Sequence, residues 1–284
     1  MSRKVSLAQA MARTDCRHVL GLSGGKDSAA LAIYLRDKYP ELHEKIEYFF
    51  TDTGAELAEV YEFLDRLEAF LGKKIERLSS GKDFDHWLNV YNGFLPSAKQ
   101  RWCTREMKLK PFERFVRDDQ VISYIGIRAD EDREGYISHK ETIEAAFPFI
   151  EDGITRQDVF RLLEESVGVP EYYEWRSRSG CYFCFFQRQG EWLGLKRRHP
   201  ELFEKAKDYE NRPRERYDWE SGKGDGGGIG YTWSSRGDLD YLVERALARE
   251  KEEGVIASTN QQSWQAILAM EDDDDEEGCA ICHL

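Results

Sequence analysis

The residues best equipped for chemistry are Ser23, Gly24, Gly25, Lys26, Asp27 and Ser28. Two adjacent glycines let the backbone approach an anion closely, and a lysine adds a mobile positive charge. The serines can donate hydroxyl hydrogen bonds, and Asp27 can cap a helix. The run follows Val19, Leu20 and Leu22 and precedes Ala29-Ala30-Leu31-Ala32-Ile33-Tyr34-Leu35, so a buried strand hands over to a helix here. Free N–H groups and the helix dipole then point at one place, and that place suits phosphate. The spacing is not the Walker pattern, which needs four residues between its first glycine and Gly-Lys-Ser/Thr.

A second polar set, Asp52-Thr53-Gly54, closes the apolar run Ile46-Glu47-Tyr48-Phe49-Phe50. In a parallel sheet it lies at a strand's carboxyl end beside the first loop, where ligands bind. Its tips can fix ribose, adenine or a metal ion. Arg128 closes the run from Val121 to Ile127 in the same way, well placed for phosphates.

Sulfur is the third resource. Cysteines stand at 16, 103, 181, 184, 279 and 282. Lys99, Arg101, Arg105, Lys108 and Lys110 surround Cys103, a setting that lowers a thiol pKa and attracts phosphate or sulfate oxygens. Cys181 with Cys184, and Cys279 with Cys282, are Cys-x-x-Cys pairs. Two intervening residues let both sulfurs face one metal or cluster. Alone, such a pair suits zinc, an iron–sulfur ligand set, a dithiol or simple packing. Cys16 reads as a buried structural thiol, and the histidines show no metal spacing.

Strands alternate with helices in the elements that must position these groups. A short helix precedes the first strand, and the helix after the loop ends near Lys38-Tyr39-Pro40. Leu57, Val60, Leu64, Leu67 and Leu71 predict a helix over 56–71, and Lys74–Leu78 a third strand. Val121 to Arg128 reads as another buried strand. Thr155 is a helix N-cap, with the helix running to Val167, and further helices are expected over 200–209 and 239–249. Residues 211–236 read as a long loop. The fold class is α/β with a doubly wound parallel sheet. The expected division is 1–170 for the nucleotide domain, 171–270 for a helical and loop region, and 271–284 for an acidic tail.

A hydrophobic fraction of 40% with 13% aromatic residues supports a sizeable core. The formal charge of −13 argues against a general grip on nucleic acid. Without the seven acids of 271–277 the balance is only −6, which leaves room for a local basic groove. No apolar run approaches the roughly 20 residues that span a bilayer, and no signal-peptide core is seen. The expectation is a soluble, cytoplasmic protein with no membrane partner.

The Ser-Gly-Gly-Lys-Asp-Ser run resembles the signature of the PP-loop ATP pyrophosphatases, which cleave ATP between the α- and β-phosphates. Asp52-Thr53-Gly54, Cys103-Thr104, Gly126-Ile127-Arg128, Pro148 through Asp158-Val159, and Gly180 to Cys184 extend the resemblance to the phosphoadenylyl-sulfate reductase family. Members adopt a Rossmann-like sheet of the adenine nucleotide alpha hydrolase type. Cluster-bearing reductases have adjacent cysteines where this chain has Trp102-Cys103, and the other reductases lack the Cys-x-x-Cys. The pattern is closer to the DndC and SspD branch of DNA phosphorothioation.

That resemblance implies ATP with magnesium, bound by residues 23–28, Asp52, Thr53, Gly54 and Arg128. Lys26, Asp27 and Arg128 would be catalytic, and Asp27 and Asp52 would be magnesium contacts. It implies a 4Fe–4S cluster on Cys103, Cys181 and Cys184, with zinc as the alternative. Cys279 or Cys282 would supply a fourth ligand or carry sulfur, unless the tail has no role. A cysteine desulfurase would be the sulfur donor and DNA, with partner proteins, the acceptor. A homo-oligomer is compatible with this. The alternatives are reduction of adenylyl sulfate or its phosphorylated form, tRNA thiolation, and a nucleotide-binding module of a defence complex.

Overall fold

Five apolar runs pair as one parallel sheet in the computed structural model, which describes residues 4–132, 140–212, 217–218, 223–224 and 231–253. In chain order the elements are α1 (Leu7–Ala12), β1 (Arg17–Gly21), α2 (Lys26–Lys38), α3 (Pro40–Lys45), β2 (Ile46–Asp52), α4 (Ala58–Leu71) and β3 (Ile75–Ser79). Then come α5 (Phe84–Val90), α6 (Trp102–Thr104), a π-helical turn (Arg105–Leu109), α7 (Lys110–Val116), β4 (Val121–Tyr124) and β5 (Ile143–Ala146). The remainder is α8 (Pro148–Glu151), α9 (Arg156–Glu164), a 3₁₀ turn (Glu171–Glu174), α10 (Gln189–Arg198), α11 (Pro200–Asn211), a β6 (Tyr217–Asp218) and β7 (Lys223–Gly224) ribbon, and α12 (Leu239–Glu253).

The sheet order is β3-β2-β1-β4-β5. The chain winds outward from β1 through β2 to β3, then crosses to β4 and β5. Winding reverses between β1 and β4, and the crevice outside their carboxyl ends is where such sheets take ligands. The doubly wound α/β expectation is met.

Both sheet faces are covered, which is why the strands read as continuous apolar runs rather than alternating ones. Leu20, Tyr48, Phe50, Ile122 and Tyr124 join a core with Leu31, Leu35, Val60, Leu64, Leu67, Val159 and Leu163 of α2, α4 and α9. Val19, Phe49 and Val121 face the other way, onto Phe112 and Val116 of α7. Phe49 and Phe112 stack with centroids 5.1 Å apart.

An aromatic wall continuous with the first of these cores ties the cysteine-bearing segments together. Trp102 stacks on Tyr91 at 4.9 Å and on Phe84 at 5.2 Å, and Phe84 lies 4.2 Å from Phe183. Phe183 in turn stacks on Trp233 at 5.1 Å. Cys103 follows Trp102, and Phe183 lies inside Cys181–Cys184, so one wall anchors both. Trp102 is buried, with Nε1 donating to the Phe94 carbonyl at 2.8 Å. The residue beside Cys103 is thus a core residue.

Several boundaries differ from the sequence reading. The strand expected over 121–128 pairs only through Tyr124, because the chain then crosses the start of α2 closely. A Cβ on Gly126 would stand 3.0 Å from the Asp27 carbonyl oxygen. β5, α5, α8, α10 and the β6–β7 ribbon inside the expected 211–236 loop were not anticipated: two to four residues carry too little pattern for a strand, and Gly190 and Gly194 weaken the helical signal of α10. α9 stops at Glu164 rather than Val167, where Ser166 Oγ donates back to the Leu162 carbonyl at 2.5 Å and Gly168 takes φ +81°. The expected N-cap is present, with Thr155 and Asp158 forming a capping box. Pro40 does more than end α2, since it opens α3. Among the described residues no helix is long and apolar enough to cross a membrane. The acidic run, Cys279 and Cys282 lie outside the described residues.

Candidate nucleotide site and its thiol flank

β1 delivers the chain to Ser23, and α2 begins at Lys26. Between them Gly24 takes φ +73°, and a Cβ there would stand 2.6 Å from Val60 Cγ1. Glycine is therefore required twice over, by backbone and by space. Ser28 Oγ accepts the Ser23 N–H at 3.2 Å, lies 3.3 Å from Ser23 Oγ and donates to the Gly25 carbonyl at 3.3 Å. The Gly25 N–H donates to Ser23 Oγ at 3.2 Å. The two serines thus brace the loop from inside. Asp27 does not cap α2 as expected. Gly25 holds the N-cap position without a side-chain bond, and Asp27 sits in the first turn.

That placement gives Asp27 a different task. Its Oδ1 accepts from Arg128 Nη1 at 2.8 Å, and its Oδ2 lies 3.6 Å from Lys26 Nζ. Arg128 Nε also donates to Asp130 Oδ1 at 3.0 Å, while Asp130 Oδ2 accepts the Arg156 N–H at 3.1 Å. Lys26, Asp27 and Arg128 are all buried. Burial works against the Arg128 charge, but Asp27 and Glu131 outweigh it and raise its pKa. Buried charges survive only when paired and hydrogen-bonded, and this set meets that condition with two cations on one shared carboxylate. The sequence-predicted residues 23–28 and Arg128 are thereby brought together at the reversal between β1 and β4.

The segment before Cys181 closes over the loop. The Tyr172 hydroxyl donates to the Gly24 carbonyl, and the Lys26 N–H donates to the Tyr173 hydroxyl at 2.9 Å. Ser179 Oγ lies 3.5 Å from Ser23 Oγ. Two residues later the same segment reaches the Asp52-Thr53-Gly54 turn. Thr53 Oγ1 lies 3.2 Å from Cys181 Sγ and donates to Glu56 Oε1 at 2.8 Å. Asp52 Oδ1 accepts from the Gly54 N–H and the Tyr61 hydroxyl, both at 2.8 Å. Arg176 fixes the turn by donating to the carbonyls of Gly180 at 3.2 Å and Cys181 at 3.1 Å.

Electrostatics on this flank oppose ionisation. Burial pushes the Cys181 thiol well above its ordinary value and the Glu56 charge adds to it, while Lys108 works the other way. Burial likewise raises Glu56, against the pull of Lys108 and the Thr53 hydrogen bond. The basic segment around Cys103 therefore also acts on Cys181, through Lys108.

The cysteines do not make a ready metal centre. The Cys184 N–H donates to the Cys181 carbonyl at 3.1 Å, the tight turn expected of Cys-x-x-Cys. The Cys181 sulfur, however, is directed at Thr53 and lies 3.8 Å from Glu56 Oε1. Among the described residues no three His, Cys, Asp or Glu side chains are grouped to hold a metal ion. A cluster or zinc ion on Cys103, Cys181 and Cys184 does not fit this arrangement. Asp27, engaged by Arg128 and Lys26, is likewise a poor direct magnesium ligand.

Sequence reasoning missed Glu56, Tyr61, Tyr172, Tyr173, Arg176 and Ser179. The one available signal was Tyr172-Tyr173 just ahead of Ser179-Gly180-Cys181, a pair of polar-tipped aromatics beside a chemical motif. No spacing rule links them to residues 23–28.

The family model described as the phosphoadenosine phosphosulfate reductase domain matches residues 17–166. An uncharacterized protein of Methanocaldococcus jannaschii is 31% identical over 200 residues, covering 66% of this chain and 40% of that one. The tRNA-specific 2-thiouridylase MnmA of Actinobacillus pleuropneumoniae is 22% identical over 199 residues, covering 58% of this chain and 49% of its own. The chain thus spans less than half the length of each of these two relatives. The crystal structure of phosphoadenylyl-sulfate reductase from Candida auris, a phosphate complex, superposes with a TM-score of 0.42 at 11% identity, over 55% of this chain and 74% of that one. With more than half of its residues under the family model, the chain belongs to the phosphoadenosine phosphosulfate reductase domain family.

Proposed function

We propose that the chain binds ATP on residues 23–28, splits it between the α- and β-phosphates, and transfers AMP to a backbone phosphate of nucleic acid. The outer sulfur of a desulfurase-derived persulfide then attacks the activated phosphorus and displaces AMP, and a second thiol cleaves the S–S bond so formed, leaving a DNA phosphorothioate and a disulfide. The observation that carries this reading is one short segment touching both chemistries. Ser179 lies against the phosphate loop, and Cys181 lies against the Asp52-Thr53-Gly54 turn.

In this reading Lys26 and Arg128 neutralise the charge that develops on departing pyrophosphate, and Asp27 holds Arg128 in place. The Lys26 N–H, held by Tyr173, turns to a phosphate oxygen when ATP enters. Magnesium enters with ATP, with Asp52 the carboxylate left to meet it. Catalysis rests on positioning and charge compensation. No step passes through an iron–sulfur cluster.

The test supplies the chain with α-labelled ATP, magnesium, DNA and a desulfurase with cysteine. AMP and pyrophosphate should form and rise with DNA, and mass spectrometry should find phosphorothioate dinucleotides. ADP as the product, or turnover indifferent to nucleic acid, overturns the reading. tRNA replacing DNA as the stimulating acceptor moves the assignment to tRNA thiolation. The family match favours a second reading, reduction of adenylyl sulfate or its phosphorylated form. Thioredoxin-dependent sulfite release would establish that instead.

A further inference from the structure

A second concavity, of about 550 Å3, opens beside the carboxyl end of β3. Lys82, Lys110, Arg114 and Lys140 line it, together with Trp87 and His86. The cations come from three stretches: the turn after β3, α7, and the approach to β5. A single solvated helix face does not gather charge in that way. Arg114 Nη2 donates to the Ser79 carbonyl at 3.1 Å and Lys140 Nζ to the Arg117 carbonyl at 3.2 Å, so both are held against the wall.

Two acids also line the groove, and one of them is already engaged. Glu106 is buried and bound by Arg105, Lys110 and the Tyr91 hydroxyl. Four basic side chains thus line the groove against two acids, Glu106 and Glu113. The local sign is positive on a chain of formal charge −13. Trp87 adds an aromatic surface: Nε1 donates to Ser80 Oγ at 3.2 Å, the His86 ring stands edge-on to it at 5.3 Å, and Lys110 Nζ lies 6.0 Å from its ring centroid. Ser79 pairs in register with Asp52, so the groove opens on the same sheet edge as the nucleotide site.

We propose that this groove binds a nucleic-acid strand, with phosphates on Lys82, Arg114 and Lys140 and a base against Trp87 and His86. Cations that track a backbone beside an aromatic platform are what single strands need. The inference deepens the nucleic-acid reading and rests on it for the class of acceptor. The groove would hold the strand while a neighbouring phosphate reaches the loop at 23–28.

The experiment measures binding of fluorescent 20-nucleotide single-stranded DNA and RNA to the full chain without ATP, across a salt series. Affinity should fall with salt with a logarithmic slope of about −2, the value for three phosphates. Lys82→Glu combined with Arg114→Gln should weaken binding about tenfold or more and flatten the slope. Trp87→Leu should weaken binding at unchanged slope. Thermal melting checks each fold. If loss of the Arg114 contact to Ser79 unfolds the double variant, Lys82→Glu alone, at an exposed position, should still cost about fivefold. Binding of either strand supports the proposal, and the tighter one names its source. Absent binding, variants that bind like the parent, or polyglutamate of equal charge competing as well as the strand overturns it. Because ATP is left out, failure here leaves pyrophosphate release standing. Loss of pyrophosphate release with strand binding intact removes the adenylation reading alone.

Discussion

The two flanks of the sheet's carboxyl edge treat charge in opposite ways. At the nucleotide flank, Asp27 is shared between Arg128 at 2.8 Å and Lys26 at 3.6 Å, and all three are buried. At the thiol flank, Glu56 and Cys181 are two potential anions 3.8 Å apart, and burial raises both pKa values. The first arrangement favours the charged forms; the second makes each ionisation harder, with the Glu56 charge itself opposing that of Cys181. A site that must meet a polyanion needs preformed positive charge. A thiol kept protonated beside it is quiet until a partner, a ligand or a shift of Lys108 changes its surroundings.

Removing a partner from the compensated flank should give the largest effect. Arg128→Met removes the 2.8 Å partner of a buried carboxylate, Asp27, and breaking such a pair costs about 3–5 kcal/mol. Pyrophosphate release should fall about 10²–10³-fold, the scale for losing one preorganised donor. Denaturant unfolding and single-turnover kinetics report the two separately. Asp27→Asn in the same background should restore part of the stability but none of the rate. A stability loss below about 1 kcal/mol would show that the charges are better hydrated than their burial implies.

The aromatic wall behind the thiol flank comes next. Trp102→Cys would set two cysteines side by side at 102 and 103, but it empties a buried indole stacked on Phe84 and Tyr91. The expected cost is about 3 kcal/mol or more, with no gain in bound iron after anaerobic reconstitution. Iron uptake by this variant would show that the wall can yield to a cluster after all.

The difference between the flanks also explains what the sequence disclosed. Residues 23–28 are contiguous, and their chemistry, flanking strand and following helix can all be read in one stretch. Arg128 was legible because it ends an apolar run. Its partnership with Asp27, 101 residues away, was not. The thiol flank joins Glu56 to Cys181 across 125 residues, and the loop cover joins Gly24 to Tyr172 across 148. No local propensity encodes such contacts. β5 escaped for a related reason, since a four-residue strand is defined by its neighbour β4 more than by its own pattern. The tail cysteines, Cys279 and Cys282, lie outside the described residues.

Gly24 should give a moderate effect. Gly24→Ala forces a Cβ to within 2.6 Å of Val60 Cγ1 at φ +73°, with an expected cost of about 1–3 kcal/mol. Adding Val60→Ala relieves the clash but not the backbone conformation. The double variant should therefore recover only part of the loss in thermal unfolding, and full recovery would mean that sterics alone require glycine there.

The smallest effect tests the neutral flank. The folded-state pKa of Glu56 is raised, chiefly by burial, so folding favours its protonated form. Its contribution to stability is fully present below the ordinary carboxylate range and is lost as pH rises through the folded value. Glu56→Gln removes that slope: variant and parent should differ little at low pH, and the variant should become relatively more stable as pH rises. The same change removes the charge that burial leaves acting on Cys181. Iodoacetamide should then modify Cys181 faster at a given pH, with the rate profile displaced toward lower pH. Peptide mapping separates it from Cys103 and Cys184. An unmoved profile would mean that burial alone keeps the thiol neutral, and that the two acids at this flank are neighbours without being coupled.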